Sequence, residues 1–368
     1  MTNPSGPLEG LKVLELAGLG PVPFCGMLLS DLGADVLRID RKDGRRYDKY
    51  SVDTRGRRSI VLDLKEPRGK RIALALIEKA DALIEGFRPG VMERLGLGPA
   101  DALARNPRLV YGRMTGFGQT GPFAARPGHD INYVALSGAL HALGPKEKPA
   151  VPLNLLGDFG GGALYLAFGV LAALRHVDRH GEGQVIDCAM SEGVISTMGM
   201  LYGEHAAGRW EDSRESNIID GAAHFYNNYE CADGKWISIG SIEPPFYAAL
   251  LEKLRLDGDP DFADQMNQAK WPELKRRLEP IFKTRTRDEW CALFADSEVC
   301  FAPVLSMAEA PAHPHNVERE AFVRIDGVPH PAPLPRFSRT PGRIRHGPKP
   351  AGWDADAALR DWGIDEPL

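Results

Sequence analysis

Apolar and polar positions alternate with two periods along the first third of the chain. Lys12-Val13-Leu14-Glu15-Leu16 is a short β-rich run, followed by a turn at Gly18-Leu19-Gly20-Pro21. Phe24 to Leu32 then reads as a helix ended by Gly33. Ala34 to Asp40 is a second strand. Strand, helix and strand in succession predict a βαβ unit and a parallel sheet with right-handed crossover. The pattern continues with a strand at Ser59–Leu64, an amphipathic helix at Pro67–Lys79 that opens on proline, and strands at Ala82–Gly86 and Leu109–Arg113. The pattern predicts an α/β fold: a Rossmann-like large domain with a parallel sheet.

A composition change near Gly208 introduces a second region. Trp210 to Asn217 is polar and linker-like. Strands at His224–Glu230 and Lys235–Ile239 flank Ala232-Asp233-Gly234, whose Asp-Gly pair marks a hairpin. Helices follow at about Phe246–Leu254 and Trp271–Phe282. We expect a large α/β domain over 1–190, a linker helix region over 191–223 and a small α+β domain over 224–329. The Pro- and Arg-rich stretch from Pro329 is read as an extended segment, so that 330–368 returns to complete the large domain.

Composition is that of a globular protein, with 43% apolar and 26% charged residues. A net charge of −5 argues against a nucleic-acid partner. The apolar stretch Ala163–Leu174 is shorter than a bilayer span and is followed by Arg175 and His176, so it reads as a core helix. Cys25, Cys188, Cys231, Cys291 and Cys300 form no C-x-x-C pair, which supports neither a zinc site nor a disulfide framework. With a polar, signal-free Met1–Gly10, this fits a cytoplasmic protein.

Candidate chemistry falls in two places. Ligand sites of open α/β sheets lie beyond the carboxyl ends of the strands. Those ends carry Arg41, Lys65, Arg88 and Arg113, and basic residues also cluster locally at Arg41-Lys42, Arg45-Arg46 and Arg55-Arg57-Arg58. Four cations along one sheet edge suggest a polyphosphate-bearing ligand. The glycines at 18 and 20 do not make a dinucleotide fingerprint, because prolines stand where backbone donors would be needed. The second place is Gly128-His129-Asp130-Ile131-Asn132-Tyr133 together with Gly157-Asp158-Phe159-Gly160-Gly161-Gly162. Asp158 has an ordinary role open to it as N-cap of the apolar helix. Three glycines weaken a helix start, however, so close approach of a ligand is the other reading. His129 and Asp130 sit at a loop-to-helix boundary where either can cap. Glu243, before Pro244-Pro245, is a third candidate: a carboxylate that reached an imidazole would hold it and favour its protonated form.

Longer motifs accompany these residues. E-L-A-G-L-G-P (15–21), D-L-G-A-D-V-L-R-I-D-R (31–41), R-P-G-V-M-E-R-L-G-L-G-P (88–99), R-M-T-G-F-G-Q-T-G-P (113–122), N-L-L-G-D-F-G-G-G (154–162), Y-E-C-A-D-G (229–234) and F-S-R-T (337–340) join G-H-D-I-N-Y in order. On these motifs the chain resembles the family III CoA-transferases, and within them the branch that racemises 2-methylacyl-CoA thioesters. The resemblance implies 1,1-proton transfer through an enolate, with no metal or redox cofactor, coenzyme A entering as part of the substrate. It assigns His129 and Asp158 as the acid/base pair and Glu243 as support for the histidine. Acyl-CoA contacts map onto Arg41, Leu62, Asp63, Leu64, Lys65, Gly86, Phe87, Arg88, Arg94, Gly128, Asp130, Ile131, Asn132 and Tyr133. Asn154 and Tyr226 match supporting positions, and His224 departs from the pattern. The backbone N–H of Asp158 is our candidate for holding the enolate oxygen. The resemblance also implies an interlocked homodimer in which the partner subunit's Glu243 completes the site.

The rival reading is a CoA-transferase, in which the aspartate matching Asp158 is a nucleophile forming an acyl-aspartyl anhydride. The G-H-D motif favours the racemase branch. A silent acyl-CoA-binding protein would lack the acid/base pair.

Overall fold

The computed structural model describes residues 6–42 and 47–365; Arg45 and Arg46 lie outside the described residues. The chain forms two compact units. One comprises Met1–Ser137, Pro152–Met198 and Val317–Leu368, the other Gly138–Val151 and Gly199–Asn316. These boundaries differ from the expected 1–190, 191–223, 224–329 and 330–368, for local reasons. Residues 190–197 stay with the first unit because Gly193 packs against the Gly161 carbonyl so closely that no Cβ fits between them. Residues 138–151 join the second because the Arg214 guanidinium donates to the carbonyls of His141, Pro145 and Lys146 at 2.9–3.0 Å.

The first unit is built on six parallel strands: β1 (Lys12–Leu16), β2 (Asp35–Asp40), β3 (Arg58–Val61), β4 (Ala82–Glu85), β5 (Val110–Thr115) and β6 (Gln184–Ala189). Their order is β3-β2-β1-β4-β5-β6. Each strand through the centre is apolar on both faces, as a sheet covered on both sides requires. Leu14, Leu37, Leu83 and Tyr111 point to one layer, packed by helices α2 (Pro67–Lys79) and α4 (Pro99–Arg105), α3 being the short Val91–Leu95. Val13, Val36, Ile84 and Val110 point to the other, packed by α1 (Pro21–Asp31) and by α6 (Leu164–His180), which follows α5 (Asp130–Leu136). A last helix of this layer, α7, spans Met190–Thr197. In the C-terminal segment of this unit Arg345 donates to the Gly33 carbonyl at 2.6 Å, and Trp362 Nε1 to Asp35 at 2.9 Å.

The apolar stretch is longer than its hydropathy alone suggested. Leu155–His180 is one continuous helix of 26 residues, long and apolar enough by length and composition to cross a membrane. Its Leu166, Val170, Ala173 and Val177 nonetheless lie in the core against the sheet, while Leu164 and Phe168 are exposed.

The second unit carries an antiparallel sheet of Tyr226–Glu230, Trp236–Gly240 and Phe301–Val304. Gly234, at φ +73°, makes the hairpin turn. Helices Pro244–Leu254, Trp271–Phe282 and Arg287–Phe294 cover one face over an aromatic core. In that core Tyr229 stacks on Phe282 with centroids 4.6 Å apart.

Candidate active site

The strand order decides where a ligand fits. From β1 the chain winds one way to β3, then crosses over and winds the other way from β4. Such a reversal leaves a crevice at the carboxyl ends of the two central strands. A cleft of about 630 Å³ opens there. Leu19 and Gly20 follow β1, and Gly86, Phe87 and Arg88 follow β4. Gly128, His129, Asn132, Tyr133 and Asp158 close the far side. A second cleft of about 490 Å³ shares Leu19 and Phe87 with it and is lined by Arg38, Arg41 and Lys349.

Asp158 is not an N-cap. The helix begins three residues earlier, with Asn154 at the cap position, and Leu155–Ala163 is wound as a π-helix. The wider winding, rare in proteins and concentrated at functional sites, turns a carboxylate outward from the middle of a helical segment. The glycines serve packing: Gly161 abuts α7, and Gly162 lies against Met190. Across the cleft, Gly20 adopts φ +70° and approaches the Asp158 carboxyl so closely that a Cβ would stand 3.0 Å from Oδ2. Asp158 is half-buried and its pKa is pushed up to about 6. Burial is the largest cause and the neighbouring Asp130 charge adds to it, while His129 and a hydrogen bond with Asn154 oppose it. The Asp158 N–H does not face the cleft as an oxyanion donor. It donates to Asp130 Oδ2 at 2.7 Å, which corrects the expected role.

His129 is the N-cap residue of α5, exposed to the cleft. Its backbone N–H donates to Asn132 Oδ1 at 3.0 Å, so Asn132 reaches back over the first turn and fixes the loop that presents the imidazole. The Tyr133 hydroxyl donates to the Gly128 carbonyl, tying the loop from the other side. Asp130 is buried beneath this turn and Ile131 is exposed outside the cleft lining.

The expected phosphate contacts divide. Arg88 lines the main cleft and Arg41 the adjoining one. Arg113 does neither. β5 runs on to Thr115, so Arg113 lies within the strand, paired with Glu85 at 3.1 Å and Glu93 at 2.8 Å as an internal support. Leu62 is a core residue, and Asp63, Leu64 and Lys65 follow β3 outside both cleft linings, as does the exposed Arg94 on α3. The cleft residues that the sequence reading gave no role in the site include Gly20, Met190 and Arg126, whose guanidinium lies 4.0 Å over the Phe123 ring. Arg126 directly precedes Pro127-Gly128-His129, a position that could have flagged it.

The second unit holds Glu243, Tyr226 and His224. Glu243 is exposed at the N-cap position of Pro244–Leu254. Tyr226 opens the first strand of the small sheet, its ring against Gly240. His224 is a core residue. It is fully buried, bonds Tyr247 Oη through Nε2 at 2.8 Å, and burial pushes its pKa down to about 4. Among the described residues no group of three or more His, Cys, Asp or Glu side chains is placed to hold a metal ion.

The profile of CoA-transferase family III matches residues 8–355. The chain belongs to CoA-transferase family III. Within the family, it is 44% identical to the α-methylacyl-CoA racemase of Mus musculus, over 98% of this chain and 94% of that protein. It is 46% identical to the α-methylacyl-CoA racemase of Homo sapiens, over 91% and 90%. The succinyl-CoA–L-malate CoA-transferase β subunit of Chloroflexus aurantiacus is 33% identical over 95% and 92%. Among solved structures, a CAIB/BAIF family protein from Brucella suis superposes with TM-score 0.83 at 26% identity, covering 97% of this chain and all of that one.

Proposed function

We infer that the protein is a 2-methylacyl-CoA racemase, an isomerase that interconverts the R and S thioesters by moving the C2 proton. The observation that carries this reading is the placement of His129 and of Asp158, whose carboxyl is held well above the usual carboxylate range, on one cleft at the sheet's switch point. The thioester carbonyl acidifies the α-proton enough for general-base removal. For one enantiomer neutral His129 removes the proton and protonated Asp158 returns one. For the other the roles exchange. A carboxyl near pKa 6 beside an imidazole allows one proton to be shared between the two at neutral pH. Arg88 would meet the pantetheine-phosphate arm, and Arg41 and Lys349 the nucleotide end in the adjoining cleft. On this reading the reaction needs no cofactor. The likeness to racemases supports a homodimer with the partner subunit's Glu243 at His129, and a cytoplasmic location is in keeping with five free cysteines.

The transferase relatives supply the competing reading, with ionised Asp158 attacking the thioester carbonyl. Proton NMR of a 2-methylacyl-CoA in deuterated water separates the two. Racemase chemistry incorporates deuterium at C2 of both enantiomers without any acceptor acid. Acyl transfer to a free acid with no C2 exchange would overturn our reading.

A further inference from the structure

We propose that Asp130 is a positioning residue for the reaction: its buried carboxylate pins the backbone of Asp158 and favours the protonated form of the Asp158 side chain, the form that can donate. This rests on the racemase reading of the site. Asp130 is 5% exposed and sits in the first turn of α5, directly under the cleft that His129 overlooks. Its Oδ2 accepts the Asp158 N–H at 2.7 Å. Gly157 makes this approach possible, since a Cβ there would stand 2.7 Å from the same oxygen and 2.9 Å from Cγ. The π-helical turn is therefore locked to α5 at the residue that carries the chemistry.

The other oxygen gives the second argument. Asp130 Oδ1 is buried with no hydrogen-bond partner among the described residues. An orphaned carboxylate oxygen opposes folding. A neutral asparagine of the same shape would accept the same N–H bond and put its amide NH2, rather than a charged oxygen, in the orphaned position, so holding the turn in place does not require a charge. What only the charge does is disfavour a second negative charge on Asp158. The other ionisable groups facing Asp158 are His129 and Tyr133 from α5 and Arg88 and Arg126 from the cleft wall. Of these, His129 favours ionised Asp158, while Arg88 and Arg126 line the same cleft. Asp130 is the acidic group set against them.

Asp130→Asn tests this. In the pH profile of kcat/KM for racemisation, the acid limb should move to lower pH by on the order of one unit. Thermal stability should hold or rise. An active variant with an unmoved acid limb overturns the proposal, and so does a loss of stability with unchanged pH dependence, which marks a structural role only. A substrate-free measurement covers the case of an inactive variant: infrared difference spectra at pH 6 between each protein and its Asp158→Asn counterpart report the protonated Asp158 carboxyl. That band should be present in the wild-type background and weakened several-fold with Asp130→Asn. An equal band in both backgrounds refutes the proposal. Failure of the wild type to exchange C2 protons would instead refute the racemase reading and leave the infrared result standing.

Discussion

Gly20 tests whether the loop after β1 really abuts the proton carrier. The residue has φ +70° and ψ −115°, a conformation that L side chains rarely adopt. Gly20→Ala therefore carries a backbone penalty of about 1–3 kcal/mol. It also places a methyl 3.0 Å from Asp158 Oδ2 and 3.5 Å from Cγ. The Asp158 carboxyl has little freedom to retreat, because its backbone is tied to Asp130 and its side chain to Asn154. Either the loop withdraws or the carboxyl turns, and a displacement of that order in a reacting group reduces rate by about 100-fold. Gly10→Ala is the control: φ is +88°, with nothing within 4 Å of the added carbon. Both variants should lose comparable stability in urea unfolding. Only Gly20→Ala should lose racemisation, mainly in kcat. If both variants race at the wild-type rate, or both fall together, the contact between Gly20 and Asp158 has no catalytic meaning.

Three further outcomes follow from the same geometry. Arg41→Ala should raise KM for the CoA thioester about tenfold with kcat nearly unchanged, since it lines the outer cleft and removes binding alone; a fall confined to kcat would contradict this. His129→Ala and Asp158→Asn should each abolish inversion yet retain residual C2 deuterium exchange, with opposite enantiomer preference by NMR; a shared preference would refute the two-face assignment. His224 is neutral in the folded protein, with a pKa near 4, whereas the unfolded chain takes up a proton below about 6.5. Its contribution is complete above that pH and declines as pH falls toward 4, by about 3 kcal/mol in total, so His224→Gln should flatten the acid side of the stability profile measured by denaturant.

The sequence was most legible where a local rule and the tertiary outcome coincide. Pro67–Lys79 is a helix between the expected residues, because a proline at its first position suits the helix and an amphipathic face continues behind it. The same rule, unapplied to Pro21, hid the start of α1: the prolines read as a turn, yet Pro21 occupies the first helical position. Arg113 looked like a ligand-facing cation because the strand end was placed two residues early. Pairing with Glu85 on the neighbouring strand is what makes it internal, and register across a sheet is not encoded locally. α3 and α4 have five and seven residues, too short for a periodic signal, and β6 is an edge strand with a mixed exposure pattern. His129 and Asp158 were visible as chemical types at motif positions. The π-helical winding was not, because it shifts the hydrogen-bond ladder without changing which residues are apolar.

On the proposed reading and its rival, one aspartate position would serve two chemistries in one family. As a nucleophile, an aspartate must be ionised and reach the thioester carbonyl. As the acid of a racemase, it must be protonated and reach C2. These demands oppose each other at the same position, so the surroundings must choose. Here burial and the charge of Asp130 act in one direction and His129 in the other, and the carboxyl is left near pKa 6. At neutral pH the free energy separating the two protonation states is then about 1.4 kcal/mol. A difference that small lets substrate binding select either state. Excluding water from the cleft favours the neutral acid and so depletes the ionised form that would attack as a nucleophile. A shift toward transfer chemistry would therefore begin with the groups under Asp158 rather than with Asp158 itself.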